Sequence, residues 1–381
     1  MKIKCLRSDF CLLRVAIITI NDNNNYGNRL QNYALQQYLF NKIKIEKVDT
    51  IWYDPQYRYM SQTNIFSWET WIKYIINWKN QRVYLKEEYL KNNIRMYNIS
   101  KFTEKINTRF DFKIKNNLEA KYDYFIVGSD QVWNLNFWSK KCDHANIRFL
   151  KFAPKEKRIA YAASIAIPEI PKDKEKIFKD GLNEMKAISV REKTGADLVK
   201  NLTGREVPVV VDPTILLSKE EWQKIEMVPE WYNGEKYILT YFLGNPSPII
   251  KNIAKKNNWK IYNLMDKNDF DLYTSRVEEF VYLIDHAQLI ATDSFHACVF
   301  SILMNTPFLV VNRQQKGMAD MTSRIDTLME LFGYQDRYIV DGKCDLSDEE
   351  ILHMDFSNVK AIQEREIARS TAYIKKALNL K

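Results

Sequence analysis

The chain alternates short apolar runs with longer stretches whose apolar residues recur every three or four positions. The β-branched runs predict buried strands, and the periodic stretches predict helices. Ser218 and Glu221 form a capping-box pattern that predicts the start of a helix. Strands are predicted at residues 14–20, 124–127, 158–163, 187–190, 207–211, 237–242, 260–264, 289–292 and 308–311. Strands separated by helices predict parallel sheets that are covered on both faces.

These elements fall into two sets in series and predict an α/β protein with two Rossmann-like domains that face each other. The N-terminal domain is assigned to residues 14–230, with an aromatic and basic insertion at about 51–110. The C-terminal domain is assigned to residues 236–340. Residues 347–381 form a C-terminal helical segment, and the apolar periodicity of the last ~30 residues predicts one amphipathic helix.

Composition adds limits on the partners of the chain. The 381 residues are 46% hydrophobic and 28% charged, which is typical of globular domains. The net charge of +9 comes from dispersed Lys and Arg without a nucleic-acid-reading motif, so a nucleic-acid partner is not predicted. The insertion at about 51–110 favours aromatic rings that pack on the N-terminal domain, because apolar rings at helical spacing usually fill a core, and peripheral contact with an anionic membrane surface is the alternative.

Cysteine and histidine usage indicates neither a disulfide framework nor a metal site. The five cysteines contain no CxxC pair and the four histidines no HExxH pair. No apolar run approaches the ~18 residues of a membrane span. A cytoplasmic location without a cofactor is therefore predicted, with peripheral contact at the inner face of the cell membrane left open by the insertion.

Polar residues cluster where the predicted strands end, which is where ligands bind in open parallel sheets. The candidates are Asn25, Tyr26, Gly27, Asn28, Ser129, Asp130, Arg191, Asp293, Ser294, His296, Arg313 and Arg324. Asp130 is a candidate base for an attacking hydroxyl, or alternatively the N-cap of a following helix. Gly27 supplies either a positive φ or a close approach of the chain to a ligand.

The cationic candidates point to an anionic ligand. His296 lies in the first turn of a helix capped by Asp293 or Ser294, where backbone N–H groups favour an anion. A buried structural histidine is the alternative. Arg191 would bind a phosphate or carboxylate, or pair with Glu192 or Asp212.

Two further arginines extend this pattern. Arg313 follows the strand at residues 308–311, and Arg324 opens a predicted helix. Each would complete an anion clamp, or alternatively lie solvated at the surface.

Seven stretches, in the same order along the chain, resemble the polysaccharide pyruvyl transferase family. They are Asn25–Gln36, Phe125–Asn134, Tyr161–Ser164, Ile188–Glu192, Val211–Thr214, Ala291–His296 and Ser323–Ile325. The resemblance implies a GT-B-like pair of domains. It also implies transfer of a pyruvyl group from phosphoenolpyruvate, as co-substrate, to two hydroxyls of a bacterial surface-polysaccharide precursor as a ketal. The acceptor would be a saccharide or a lipid-linked saccharide.

The resemblance also assigns roles to individual residues. Arg191 and His296 match family positions that bind or act on phosphoenolpyruvate, and Asp130 would be the base. The family pattern carries Arg two residues before the His, whereas Ser294 stands there in this chain. Phosphate binding is then expected from Arg191, Arg313 or Arg324. Two other functions remain open: a GT-B glycosyltransferase that uses a nucleotide sugar, and a non-catalytic protein of a polysaccharide locus.

Overall fold

The computed structural model describes residues 11–21, 23–53, 83–109, 118–138, 144–242, 247–311, 323–340 and 342–381. Its N-terminal half is a six-stranded parallel sheet in the order β3-β2-β1-β4-β5-β6. The strands are β1 Cys11–Ile18, β2 Ile45–Ile51, β3 Thr108–Arg109, β4 Tyr124–Val127, β5 Arg158–Ala163 and β6 Ala187–Val190. The helices are α1 Tyr26–Asn41, α2 Val83–Lys101, α3 His144–Arg148, α4 Lys172–Asn183 and α5 Lys193–Thr203. Much of the predicted insertion at about 51–110 lies outside the described residues.

The C-terminal half follows the short linker helix α6, Lys219–Gln223, and is a five-stranded parallel sheet in the order β11-β10-β9-β7-β8. Its strands are β7 Tyr237–Tyr241, β8 Lys260–Asn263, β9 Leu289–Thr292, β10 Phe308–Val311 and β11 Tyr338–Ile339. Its helices are α7 Pro248–Asn257, α8 Phe270–Tyr273, α9 Val277–Asp285, α10 Phe295–Met304, α11 Ser323–Phe332, α12 Asp348–Leu352 and α13 Val359–Ala377. No helix among the described residues has the length and apolarity that a membrane span needs.

The predicted fold class is confirmed, because both halves are parallel α/β sheets. The predicted strand at 207–211 is wrong, since this segment adds only one parallel bridge to the sheet, between Val190 and Val209. Pro208 has no backbone N–H, so it can accept a hydrogen bond from Val190 but cannot donate one to a ladder.

The predicted C-terminal helix is confirmed as α13, which begins at Val359 after a turn that separates it from α12. Asp355 accepts a hydrogen bond from the backbone N–H of Ser357, a local turn that competes with helix continuation. The helix α13 then returns to the N-terminal half, where the Tyr373 hydroxyl donates to the carbonyl of Ala160 at 2.6 Å. The C-terminal segment therefore contacts both halves of the molecule.

Buried aromatic side chains join the two halves. Trp222 of α6 is fully buried, donates to the carbonyl of Thr214 and packs edge-on against Phe300 of α10. Tyr26, at the start of α1, stacks on Phe280 of α9 with ring centroids 4.5 Å apart. These contacts bring the N-terminal end of α1 against the C-terminal half.

Candidate active site

The strand order of each sheet reverses at one point, and the candidate residues lie at both points. In the N-terminal sheet the reversal falls between β1 and β4, and in the C-terminal sheet between β7 and β9. The chain continues from these strands into the segments 25–28, 129–130 and 293–296. A reversal leaves a crevice beyond the carboxyl ends of the strands, where α/β proteins bind ligands.

The centre of this region is the carboxylate of Asp212, which is fully enclosed. Its Oδ1 accepts from the backbone N–H of Thr214 at 3.0 Å and from the Thr214 hydroxyl at 2.7 Å. Its Oδ2 accepts from Arg191 Nη1 at 2.6 Å and from Ser129 Oγ at 2.9 Å. His296 Nε2 lies 3.7 Å from the same oxygen. One carboxylate therefore connects residues from both halves of the protein.

The environment keeps Asp212 ionised. Burial by itself would raise the pKa of this carboxyl, but His296, Arg191 and the backbone N–H of Thr214 hold the pKa below its usual range. A permanently ionised and fully bonded carboxylate positions its partners rather than exchanging protons.

Asp130 is the second carboxylate of the cluster. Its Oδ2 accepts from Asn28 Nδ2 at 3.1 Å, and its Oδ1 lies 3.5 Å from Arg191 Nη2. Burial would raise its pKa, but the positive charges of Arg191, His296 and Arg324 lower it overall. The side chain is thus ionised and within reach of the same guanidinium as Asp212.

The alternative role of Asp130 as a helix N-cap is wrong. The residue has a φ of +59°, and no helix begins there. Asn134 caps the next helical turn, Leu135–Phe137, by accepting from the backbone N–H of Asn136. Asp130 lies two residues after Gly128, and the chain passes so close to β5 at Gly128 that a Cβ there would lie 2.2 Å from the carbonyl oxygen of Tyr161. The tight turn directs Asp130 toward Arg191.

Arg191 is buried and keeps unused donors. Its ion pair is with Asp212 and Asp130, since Glu192 Oε1 instead accepts from the chain at Ser164, Ile165 and Ala166. Burial would lower the pKa of Arg191, but the two aspartates raise it overall. Its Nε and Nη2 donate no hydrogen bond within the described residues. Two N–H positions are therefore available for an anion.

Arg324, in the first turn of α11, is only 8% exposed, so its alternative role as a solvated surface arginine is wrong. Its guanidinium makes no hydrogen bond to the described part of the chain. Both Arg324 and Arg191 lie over the Phe295 ring, at 5.9 and 4.4 Å from its centroid. Burial, and then the charge of Arg191, lower the pKa of Arg324 to about 10. Arg313 lies outside the described residues.

His296 is the second residue of α10 and is buried. Ser294 is the N-cap of this helix, because its hydroxyl accepts from the backbone N–H of Ala297. His296 Nε2 has no hydrogen-bond partner within the described residues. The ring packs against Gly27, where a Cβ would lie 2.0 Å from His296 Nδ1. Gly27 is therefore explained by this close approach and not by a positive φ.

The substitution Gly27→Ala tests this contact. The added methyl group cannot coexist with the present position of the imidazole, so His296 must move away from Asp212. We expect a loss of turnover of about 10²-fold, the typical contribution of one acid–base group, which is the role predicted for His296. Gly204→Ala is the control for general destabilisation, because the φ of +73° strains an alanine there although its Cβ meets no atom within 4 Å. Equal losses in both variants would show that the effect is general destabilisation.

The remaining candidates form the frame of the site. Asn25 caps α1 by accepting from the backbone N–H of Gly27 at 2.9 Å. The Tyr26 hydroxyl donates to the carbonyl of Ser275 at 3.0 Å, which ties α1 to the C-terminal half. Ser129 Oγ lies between Asp212 and the carbonyl of Ala162. Direct contact of these residues, or of Asn28 and Asp293, with a substrate stays a prediction.

A cavity of about 580 Å³ reaches the two arginines. Its buried end is lined by Arg191, Asp212, Phe295 and Arg324. His296 is not among its described lining residues and is linked to it through Asp212. A ligand at the buried end of the cavity would therefore contact the two guanidinium groups rather than His296.

One group of side chains with metal-ligand spacing occurs among the described residues, namely Glu226, Asp285 and His286. It lies on the linker and at the end of α9, on different elements from the arginine cluster. Asp285 is already paired with Lys219 at 2.8 Å and bonded by Gln223 at 2.7 Å. The absence of a metal from the active site stays a prediction.

The central role of Asp212 was missed among the sequence candidates. A signal was present, because Asp212 follows an apolar run and precedes Pro213 and Thr214. Only the folded chain shows that Arg191, Ser129 and Thr214 converge on this carboxylate.

A family model described as polysaccharide pyruvyl transferase matches residues 25–315. The chain belongs to this family. The matched range includes both reversal points and all of Asp130, Arg191, Asp212 and His296, whereas Arg324 lies beyond it. No curated protein matches the chain.

Solved structures similar to this chain are distant in sequence. The UDP-GlcNAc 2-epimerase from Neisseria meningitidis, bound to UDP-GlcNAc, is 10% identical with a TM-score of 0.42, covering 94% of this chain and 100% of that one. The UDP-GlcNAc 2-epimerase from Methanocaldococcus jannaschii, in complex with UDP-GlcNAc and UDP, is 12% identical with a TM-score of 0.44, covering 95% and 100%. The ADP-heptose lps heptosyltransferase II from E. coli is 10% identical with a TM-score of 0.34, covering 93% and 99%.

Proposed function

We propose that this protein transfers a pyruvyl group from phosphoenolpyruvate to two hydroxyls of a sugar in a bacterial surface-polysaccharide precursor, forming a ketal. The observation that carries the proposal is the pair of buried arginines, Arg191 and Arg324, at the end of one cavity. Phosphoenolpyruvate carries a phosphate and a carboxylate, and guanidinium groups suit both. Family membership supports the pyruvyl chemistry.

The two arginines differ in what they gain from an anion. Arg191 is already neutralised by Asp212 and Asp130 and uses its free Nε and Nη2 for orientation. Arg324 is buried without a hydrogen-bonded counter-ion in the described chain, and burial and the charge of Arg191 outweigh the attraction of the nearby carboxylates of Asp130, Glu192 and Asp212. A bound anion compensates this charge, and binding is therefore favourable at Arg324 in particular.

Ketal formation needs one proton donor, one proton acceptor and a departing phosphate. A proton adds to the methylene carbon of phosphoenolpyruvate and leaves an oxocarbenium-like centre. A sugar hydroxyl attacks this centre and loses its proton to the base. Phosphate then leaves and regenerates an oxocarbenium-like centre, which a second hydroxyl attacks to close the ring as its proton passes to the departing phosphate. We assign the acid, or phosphate partner, to His296 and the base to Asp130.

The low pKa of Asp130 makes it a weak base in the free protein, because Arg191, His296 and Arg324 stabilise its ionised form. Negative charge on bound phosphoenolpyruvate would compete for the same cations. The pKa of Asp130 then rises toward the range in which a carboxylate accepts protons effectively. Binding of the donor would thereby activate the base.

The substitution His296→Ala is expected to lower turnover by at least about 10²-fold, the typical contribution of one acid–base group. The measurement is phosphate release from phosphoenolpyruvate in the presence of a saccharide acceptor. His353→Ala is the matched control, since His353 is exposed at the end of α12. Turnover at the wild-type rate in His296→Ala would remove this residue from the mechanism.

Ligand binding separates the proposal from its alternatives. Phosphoenolpyruvate and a set of nucleotide sugars are each added before thermal unfolding, and a ligand at about 100 times its Kd adds about 2.7 kcal/mol. Stabilisation by phosphoenolpyruvate supports the pyruvyl transferase. Stabilisation by a nucleotide sugar alone supports a glycosyltransferase, and stabilisation by neither supports a non-catalytic protein.

We place the reaction in the cytoplasm, with a saccharide or lipid-linked saccharide as the acceptor. A lipid-linked acceptor would require peripheral contact with the inner face of the membrane. Flotation with anionic liposomes measures this contact, and a protein that stays at the bottom of the gradient would argue for a soluble acceptor.

A further inference from the structure

The cavity is larger than phosphoenolpyruvate requires. The donor has about ten non-hydrogen atoms, and at roughly the 30 Å³ that a water molecule occupies in the liquid it fills about half of the volume of about 580 Å³. Arg191 and Arg324 mark the buried end. The opposite end is lined by side chains that are exposed: Lys193, Glu330, Gln335 and Arg369. The unfilled volume is therefore open to solvent.

The wall of this open half contains a buried carboxylate with spare acceptor capacity. Glu366 of α13 is only 2% exposed, although it lines the cavity. Its Oε1 accepts from Arg365 Nε and its Oε2 from Arg369 Nη1, each at 3.0 Å. A carboxylate oxygen has two lone pairs, so each oxygen can accept one more hydrogen bond. A hydroxyl donor suits this position.

Donors and further acceptors line the same cavity from α11, from the loop that follows it and from α13. Arg369 uses one N–H on Glu366 and has four others. The Thr327 hydroxyl donates to the carbonyl of Ser323 at 2.8 Å and keeps its lone pairs for accepting. The Gln335 amide carries both a donor and an acceptor. Sugar hydroxyls both donate and accept, so adjacent hydroxyls match this mixture.

We propose that the open half of the cavity is the subsite for the acceptor, a hydroxyl-rich saccharide read by Glu366, Arg369, Thr327 and Gln335. This inference rests on the proposed function, because it assumes that Arg191 and Arg324 hold the donor and that the acceptor hydroxyls must reach it. A saccharide that enters from the solvent side meets the Glu366 wall before it meets the donor.

The chain offers a matched pair of variants for the test. Arg365 and Arg369 both pair with Glu366 and have similarly exposed side chains, 59% and 56%, but only Arg369 lines the cavity. Binding of p-nitrophenyl hexosides is measured by saturation-transfer NMR, and binding of phosphoenolpyruvate by calorimetry. Arg369→Met is expected to weaken hexoside binding by about tenfold or more. Arg365→Met should leave it unchanged, and both variants should keep the affinity for phosphoenolpyruvate.

A second variant, Gln335→Ala, protects the test against misfolding, because Gln335 is exposed on a loop. It should also weaken hexoside binding. Equal weakening by Arg365→Met and Arg369→Met, or no hexoside signal with the wild type, would overturn the subsite. A wild type that fails to bind phosphoenolpyruvate but binds hexosides through Arg369 would contradict the proposed donor and leave the subsite standing.

Discussion

Arg324→Met is expected to raise the thermal stability of the free protein and to abolish most of its affinity for phosphoenolpyruvate. Arg324 is buried and makes no hydrogen bond to the described chain, and burial together with Arg191 lowers its pKa to about 10. A shift of this size corresponds to roughly 3 kcal/mol of unfavourable charge burial at neutral pH. An apolar side chain of similar length removes this term and keeps the contact with Phe295. We expect a gain of about 1–3 kcal/mol.

The same substitution removes the charge-assisted contact that we propose between Arg324 and phosphoenolpyruvate. Such contacts contribute about 1.5–3 kcal/mol, so the affinity for phosphoenolpyruvate should fall by about 10–100-fold. Thermal unfolding with and without phosphoenolpyruvate measures both effects in one experiment. Arg276→Met is the control, since Arg276 lies outside the cavity, at the N-cap of α9. A variant that is less stable than the wild type and still stabilised by the ligand would contradict the role of Arg324.

A substitution that raises the stability of the free protein but weakens ligand binding distinguishes a ligand-binding arginine from a structural one. A structural arginine is bonded by its own chain, so its removal destabilises the protein. A ligand-binding arginine is held in a partly unsatisfied state that the ligand completes. Arg324 has the properties of a ligand-binding arginine. Arg191 has the properties of both kinds, because Arg191 is paired with two aspartates and also keeps two donors without a hydrogen bond.

The sequence was sufficient for the sheets because their strands are short apolar runs bounded by polar residues. Strands β4, β5, β6, β9 and β10 have the predicted limits, as their β-branched cores end abruptly at Gly, Ser, Arg, Asp or Asn. The pattern was insufficient at residues 207–211, where Pro208 blocks a ladder that the apolar run favours. It was also insufficient for the start of the C-terminal helix. Residues 353–358 form a turn in which Asp355 accepts from the backbone N–H of Ser357, so α13 begins only at Val359.

The candidate site was partly predictable for a topological reason. The carboxyl ends of parallel strands meet at one edge, so Asp130, Arg191 and His296 could be expected near one another. Their partners could not be expected, because contacts such as Arg191 with Asp212 depend on turns whose backbone angles the sequence does not reveal. The contact between Gly27 and His296 could not be predicted from a local sequence pattern either, because the two residues belong to different halves of the protein.

Arg191→Met is expected to lower the free energy of unfolding by about 3–5 kcal/mol, in contrast to Arg324→Met. Asp212 and Asp130 would both stay buried after losing their shared cation, and an uncompensated buried charge is strongly destabilising. Affinity for phosphoenolpyruvate should fall as well, because both unused donors disappear. The loss of stability is measured by denaturant unfolding at pH 7.

The pH dependence of stability distinguishes this explanation from simple loss of packing. In the wild type the folded pKa of Asp212 lies below the ordinary value of 3.8 for an aspartate, so the carboxylate stabilises the fold above that pH and this stability is lost as the pH falls through the folded pKa. Without Arg191, Asp130 loses the largest of the influences that lower its pKa, so the folded pKa of Asp130 rises, whereas Asp212 keeps the lowering by His296 and Thr214. The variant should then recover stability relative to the wild type as the pH is lowered from 7 toward 5. The double variant Arg191→Met with Asp212→Asn should regain part of the stability at pH 7 without regaining turnover, because the buried charge is gone but the anion clamp is not restored.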